Sequence, residues 1–302
     1  MTTSEIRHRS GFACFVGRPN AGKSTLTNAL VGSKVAITSS KPQTTRHAIR
    51  GIVHRADAQL VIVDTPGLHR PRTLLGQRLN DVVRATWSEV DVVGLCVPAD
   101  EKVGTGDRFI ARELAKISRH TPVIGVVTKT DLVAPEQVVE QLVALQDVME
   151  FAELIPVSAV DGFQVDQLAD LLVARLPEGP MLYPDGELTD EPEATLVAEL
   201  IREAALEGVR DELPHSIAVT VEEMVPREDR DDLIDVRALL YVERPSQKGI
   251  VLGHKGERLR EVGTTARRQI EALLGSQIYL DLHIKVAKDW QRDPKQLRRL
   301  GF

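Results

Sequence analysis

The run Gly17-Arg18-Pro19-Asn20-Ala21-Gly22-Lys23-Ser24 stands directly after the apolar stretch Phe12-Ala13-Cys14-Phe15-Val16 and directly before a helical pattern carried by Thr25-Leu26-Thr27-Asn28-Ala29-Leu30. A strand, a glycine-rich turn and a helix N-terminus in immediate succession restrict the chain severely, because together they aim backbone N–H groups and a helix dipole at one point. That point attracts phosphate oxygens. Gly17 and Gly22 let the main chain approach without a Cβ in the way, Lys23 places an ammonium among β and γ phosphates, and Ser24 offers a hydroxyl to Mg²⁺. The segment predicts a phosphate-binding loop at the head of an α/β domain.

Apolar runs of strand length alternate with helical patterns over residues 1–176. Residues 12–16, 59–63, 91–97, 122–127 and 154–157 read as strands, and 23–31, 74–88, 106–119, 135–149 and 164–175 as helices. Continuous apolar strands such as Leu60-Val61-Ile62-Val63 suit a sheet covered on both faces. A doubly wound, mostly parallel sheet is expected, with its ligand beyond the carboxyl ends of the strands. Residues 177–192 gather Pro177, Gly179, Pro180, Pro184, Gly186 and Pro192 with several acids, and read as a linker. Residues 193–302 then give helix (193–207), strand (215–225), strand (232–243), a short helix ending at Leu252, a glycine-bracketed turn, a long helix (256–274) and a strand (278–287). A smaller α+β domain is expected there.

At 302 residues the chain has room for two cores. Cys14 and Cys96 lie in apolar runs and read as small buried residues rather than a disulfide or metal pair. No apolar run approaches a membrane span and Met1 to Ser10 is too polar for a secretory signal, so a cytoplasmic location is expected. The net charge of −6 is unevenly spread: from Arg244 to Phe302, 13 Lys and Arg face 6 Asp and Glu, which puts +7 on that end and −13 on the preceding 243 residues. A basic end on an acidic body points to a polyanionic partner, although a solvated charged surface gives the same count.

About 40 residues beyond the phosphate loop, the strand Leu60 to Val63 is followed by Asp64-Thr65-Pro66-Gly67. A carboxylate there can hold Mg²⁺ through water, and Gly67 can present its N–H to a γ-phosphate. Thr128-Lys129-Thr130-Asp131 follows the strand Val123 to Val127, and Ser158-Ala159 follows Leu154 to Val157. With these motifs the chain resembles the translation-factor-related GTPases. The resemblance implies that Asp131 accepts hydrogen bonds from guanine N1 and N2, that Lys129 packs its stem over the base, and that the backbone of Ser158-Ala159 meets O6. Adenine lacks the paired donors and would leave Asp131 desolvated and unpaired. Thr128 stands where that family has asparagine and offers one hydroxyl proton in place of an amide, so a weaker hold on guanine is expected and an adenine nucleotide is the alternative.

Gln43-Thr44-Thr45-Arg46-His47 resembles the first switch segment, with Thr45 preferred over Thr44 as the threonine that completes the Mg²⁺ shell when GTP is bound. Lys23, Thr45 and Gly67 are thus the residues expected to act on the γ-phosphate. Leu68 stands where many small GTPases carry a glutamine that orients water, which implies slow hydrolysis or hydrolysis completed by a partner. Asn20 resembles the asparagine with which some relatives coordinate K⁺ beside the phosphates; a turn-stabilising asparagine is an equal reading.

In the basic end, Gly253-His254-Lys255-Gly256 follows Lys248-Gly249-Ile250-Val251-Leu252. Two glycines so spaced let a turn press on a sugar-phosphate backbone, with a lysine and helix N–H groups toward the phosphates. Helix, strand, strand, helix, Gly-x-x-G, helix, strand is the order of a bacterial-type (type II) KH domain, in which Ile250, Val251 and Leu252 would line the base-binding groove. Over essentially its whole length the chain resembles the Era family. That resemblance implies a GTP-hydrolysing switch that binds the 3′ end of small-subunit (16S) ribosomal RNA and assists assembly and maturation of the small (30S) ribosomal subunit, with GTP or GDP and Mg²⁺ as ligands. Two alternatives stay open: an RNA-binding protein whose nucleotide is structural, and contact of the basic tail with lipid at the inner face of the membrane. Trp290 either stacks a base or packs the terminal helix, and packing is preferred. No coiled coil or long apolar edge argues for assembly, and a monomer is expected.

Overall fold

A computed structural model describes residues 8–39, 41, 44–68, 71–117, 121–209 and 213–302. Gln43 of the first switch segment lies outside these. By its contacts the chain forms two compact units, one of residues 1–36, 45–70 and 79–190, the other of residues 37–44, 71–78 and 191–302.

Among the described residues of the first unit, β1 (Arg9–Val16), α1 (Lys23–Val31), β2 (Ile49–His54), β3 (Ala58–Asp64), α2 (Leu74–Glu89), β4 (Val92–Pro98), α3 (Thr105–Ile117), β5 (Val123–Thr128), α4 (Pro135–Gln146), β6 (Glu153–Pro156) and α5 (Val165–Val173) follow one another, α2 passing from the second unit into the first after Arg78. The sheet order is β2-β3-β1-β4-β5-β6, parallel except for β2. Alternation along β1 explains the two layers. Ala13 and Phe15 face a core shared with Leu26 and Leu30 of α1 and Leu168 and Leu172 of α5, whereas Cys14 and Val16 face one shared with Val83 and Trp87 of α2 and Ile110 and Leu114 of α3. Burial pushes both thiols up, that of Cys96 to about 12, so neither ionises near neutrality.

β2 was not expected from the sequence: it is short, polar at Arg50 and His54, and pairs antiparallel at the sheet edge, where no continuous apolar run is required. The stretch read as a linker also differs. Residues 177–190 belong to the first unit, where the buried Gln59 side chain accepts from the Leu182 and Tyr183 N–H groups at 2.7 and 2.9 Å and Ile52 N–H donates to Leu188 O at 2.9 Å. Prolines there shape a strap over the β2–β3 edge.

The second unit contains α6 (Glu193–Leu206), α7 (Leu213–Ser216), β7 (Ala218–Arg227), β8 (Arg230–Val242), α8 (Pro245–Leu252), α9 (Glu257–Leu274), β9 (Gln277–Val286) and α10 (Pro294–Arg299). β8 lies between antiparallel β7 and parallel β9. Val236, Ala238, Leu240 and Val242 alternate onto the covered face, against Val197, Leu200, Ile201 and Ala204 of α6 and Val262, Ala266 and Ile270 of α9. No helix among the described residues is long and apolar enough to cross a membrane.

Trp290 is fully buried, donates its Nε1–H to Ser216 O at 3.0 Å and stacks on Phe302 at 5.8 Å between ring centroids. It packs the terminus and has no face for a base. Trp290→Ala is expected to destabilise the second unit by about 3–5 kcal/mol, read as a lower denaturant midpoint, because a full aromatic volume is vacated; an unchanged midpoint would contradict the packing role.

Candidate functional site

Parallel pairing brings the ends of β1, β3, β5 and β6 to one edge of the first sheet, and each carries one of the motifs. The loop after β1 is held closely: a Cβ on Gly17 would lie 2.5 Å from the Cys96 carbonyl oxygen, so only glycine lets the loop pass β4 there. Arg18 turns outward and is held by Glu101 at 2.9 Å and by the buried Asp107 at 2.8 Å. Pro19 and Asn20 form the exposed crest, Asn20 with φ +63°, and Ala21 and Gly22 lead into α1, on whose first turn stand Lys23, Ser24 and Thr25. Buried Lys23 curls back so that its Nζ donates to Arg18 O at 3.0 Å and Gly17 O at 3.3 Å, leaving the ammonium inside the cradle of the loop.

Three oxygens converge below it. Ser24 Oγ donates to Asp64 Oδ2 at 2.8 Å, Thr45 Oγ1 donates to the same oxygen at 3.1 Å, and the two hydroxyls are 3.0 Å apart. Thr44, the other threonine weighed from the sequence, instead donates its hydroxyl to Lys41 O at 2.6 Å. Burial pushes the Asp64 carboxyl up and the Lys23 ammonium down, while their mutual attraction opposes both shifts and the two hydroxyls favour the carboxylate. Asp64 Oδ1 is buried and meets no hydrogen-bond donor among the described residues. A hard oxygen set with an orphaned carboxylate oxygen and too little positive charge fits Mg²⁺. Thr65 and Pro66 are buried behind it, and Gly67 lies against the loop, where an added Cβ would come within 3.5 Å of Pro19 N and 3.7 Å of Lys23 Nζ. Leu68 is buried in the α2–α3 core.

Beside the loop, a cavity of about 250 Å³ is lined by Gly22, Thr25, Thr128, Lys129, Asp131 and Ala159 among others. Asp131 Oδ1 accepts from Ser158 Oγ at 2.8 Å, and Lys129 reaches Asp100 at 3.4 Å. Thr128 Oγ1 donates to Ala21 O at 2.7 Å, so the hydroxyl that replaces an amide ties the strand β5 end directly to the phosphate loop.

In the second unit the turn Gly253–Gly256 joins α8 to α9 with His254 and Lys255 exposed. Gly253 has φ +71°, and a Cβ there would lie 2.7 Å from Arg258 Cβ. Lys248, Ile250 and Leu252 are exposed too. Val251 is a correction: its side chain is fully buried in the second core, because three successive helical residues cannot all face one groove. Sequence reasoning also missed the groove beside the turn, about 440 Å³, where Arg260, Thr264 and Arg267 of α9 face Tyr279 and Leu280 of β9. The spacing of Arg260 and Arg267, two turns apart on one helix face, was the available signal.

A family model described as 50S ribosome-binding GTPase matches residues 12–129, and one described as KH domain matches residues 212–291. GTPase Era of Streptomyces coelicolor is 70% identical over 307 residues, 99% of this chain and 96% of the relative. The chain belongs to the GTPase Era family. GTPase Era of Mycolicibacterium smegmatis is 68% identical over 295 residues, 97% of this chain and 99% of that relative. A crystal structure of Era in complex with MgGDPNP and nucleotides 1506–1542 of 16S ribosomal RNA aligns with a TM-score of 0.93 at 35% identity, covering 97% of this chain and 99% of that one. A variant of Aquifex aeolicus Era bound to GDP and AlF4⁻ aligns equally well, with a TM-score of 0.93. As an Era-family protein the chain is a GTPase with an α/β nucleotide-binding part and a KH domain.

Asp131→Ala is expected to weaken GDP binding about 10- to 100-fold in calorimetry, the worth of a charge-assisted hydrogen bond, and to let ATP compete with labelled GTP. Unchanged GDP affinity would remove Asp131 from base recognition.

Proposed function

We propose that the protein is a GTP-switched factor that binds the 3′ end of 16S ribosomal RNA through its KH domain and assists assembly of the small ribosomal subunit. The observation carrying this reading is one chain holding both a Ser24–Thr45–Asp64 oxygen set under a phosphate loop and an exposed Gly253–Gly256 turn in a basic end. The relative crystallised with nucleotides 1506–1542 of 16S ribosomal RNA, aligned over 97% of this chain, supports the small subunit over the large one named in the family model's description.

In this reading the loop N–H groups from Asn20 to Thr25 and the Lys23 ammonium take the β and γ phosphates, and Gly67 N–H takes a γ oxygen. Ser24, Thr45 and Asp64 hold Mg²⁺, which when bound neutralises charge on the β and γ oxygens. Thr128, Lys129, Asp131, Ser158 and Ala159 hold guanine. Leu68, apolar and buried, orients no water, so positioning and charge stabilisation carry hydrolysis and the intrinsic rate is low. Loss of the γ-phosphate releases Thr45 and Gly67, and their loops change the RNA affinity of the KH domain.

Asn20, an oxygen donor on the exposed crest of the loop, is the residue assigned to K⁺ beside the phosphates. Hydrolysis is expected to be faster in K⁺ than in Na⁺, and Asn20→Ala to erase the difference; equal rates in the two salts would sink the assignment.

The reading as a whole is tested by RNA affinity. Replacing His254 and Lys255 by Asp is expected to cut binding of a single-stranded 3′-end RNA at least about tenfold and flatten its salt dependence, since phosphate contacts are lost. Wild-type affinity should differ between GDP and a non-hydrolysable GTP analogue, because a ligand bound equally by both states shifts nothing. Equal affinities would leave an RNA-binding protein with incidental turnover.

A further inference from the structure

The phosphate loop is fastened from outside the site. Of the two carbonyls that seat the Lys23 ammonium, that of Gly17 is confined by the close passage of β4, where a Cβ would lie 2.5 Å from the Cys96 carbonyl oxygen. The Arg18 carbonyl is placed differently. It accepts from Lys23 Nζ at 3.0 Å and from the Ala21 N–H at 3.3 Å, so the ammonium and the turn over the exposed Pro19–Asn20 crest both close on this one oxygen. From the same residue the side chain runs away from the loop into a seat on the connection from β4 to α3. Arg18 Nε donates to Asp107 Oδ1 at 2.8 Å, and Nη1 donates to Glu101 Oε2 at 2.9 Å.

That seat is itself held. Asp107 is fully buried on the first turn of α3, and its second oxygen, Oδ2, accepts from the Gly104 N–H at 2.8 Å, so one carboxylate caps the helix and grips the guanidinium. Gln141 of α4 donates from Nε2 to Pro98 O at 2.9 Å and to Glu101 O at 2.7 Å, which pins the connection from its other side. Gly106 is the floor: a Cβ there would lie 2.8 Å from Arg18 Cδ and 3.2 Å from Cγ, so the arginine lies in this seat only while residue 106 has no side chain. An exposed ion pair would hold little, but Asp107 is a desolvated carboxylate that loses its charged donor if Arg18 leaves, and departure is resisted accordingly. All these residues belong to the first unit.

We infer that Asp107 and Gly106 are positioning residues for the phosphate loop: by keeping the Arg18 side chain against α3 they fix the carbonyl on which Lys23 and the loop's turn close. The inference rests on the reading of Lys23 as a phosphate-binding residue.

The test is GDP affinity by calorimetry, with Mg²⁺ and the full-length protein, beside the denaturant midpoint of each nucleotide-free variant. Gly106→Ala removes no charge and puts a better helix former into α3, yet it evicts Arg18; it is expected to weaken GDP about five- to tenfold, the size of one displaced hydrogen bond, with the midpoint held or raised. Arg18→Ala is expected to give the same loss, and Gly106→Ala added to it no further loss. Should Gly106→Ala not fold, Asp107→Asn, whose amide has one acceptor oxygen for two donors, takes its place with the same expected affinity. A lower midpoint with GDP affinity intact is what a purely structural seat would give, and it would overturn the inference, as would full additivity of Gly106→Ala with Arg18→Ala. Lys23→Ala separates this from the reading beneath it. GDP binding undiminished by Lys23→Ala sinks the phosphate-site assignment itself, whereas loss with Lys23→Ala beside wild-type affinity in Gly106→Ala removes the positioning role alone.

Discussion

The buried Asp64 carboxylate is the constraint around which the rest of the structure is arranged. It ends β3, it is fully buried, and among the described residues two hydroxyls and the nearby Lys23 compensate it. A cation would compensate such a group further, and the residues that surround it come from two separate places: Lys23 and Ser24 from the first turn of α1, and Thr45 from the connection into β2. A parallel sheet is the architecture that brings these ends to one edge, and the central position of β1 in the strand order puts the phosphate loop where the winding direction reverses.

Residues 37–44 precede Thr45 and residues 71–78 follow the Gly67 loop, and both cluster by contact with residues 191–302. The two residues expected to feel a γ-phosphate are thus continuous in the chain with pieces of the KH-containing unit.

Sequence reading reached the first unit's motif-bearing elements because phosphate and metal chemistry demands particular residues at particular strand ends. It placed α1 at residues 23–31, where the structure has it, and favoured Thr45, whose hydroxyl meets Ser24 while that of Thr44 bonds Lys41 O. It missed β2, since an edge strand needs no apolar run, and it misread residues 177–190, since proline and glycine mark a strap as readily as a free linker. In the second unit, order of elements was legible, but side-chain facing was not: Val251 turned inward, and Arg260, Arg267 and Tyr279 became neighbours only through the packing of α9 on β9.

The central claim is that the nucleotide state at the phosphate loop is read by Thr45 and by Gly67. Amide hydrogen exchange of the full-length protein, compared between GDP and a non-hydrolysable GTP analogue with Mg²⁺, addresses it most directly. The account predicts slower exchange with the analogue at residues 44–46 and at Gly67. Identical protection in the two states, with both nucleotides demonstrably bound, would contradict it.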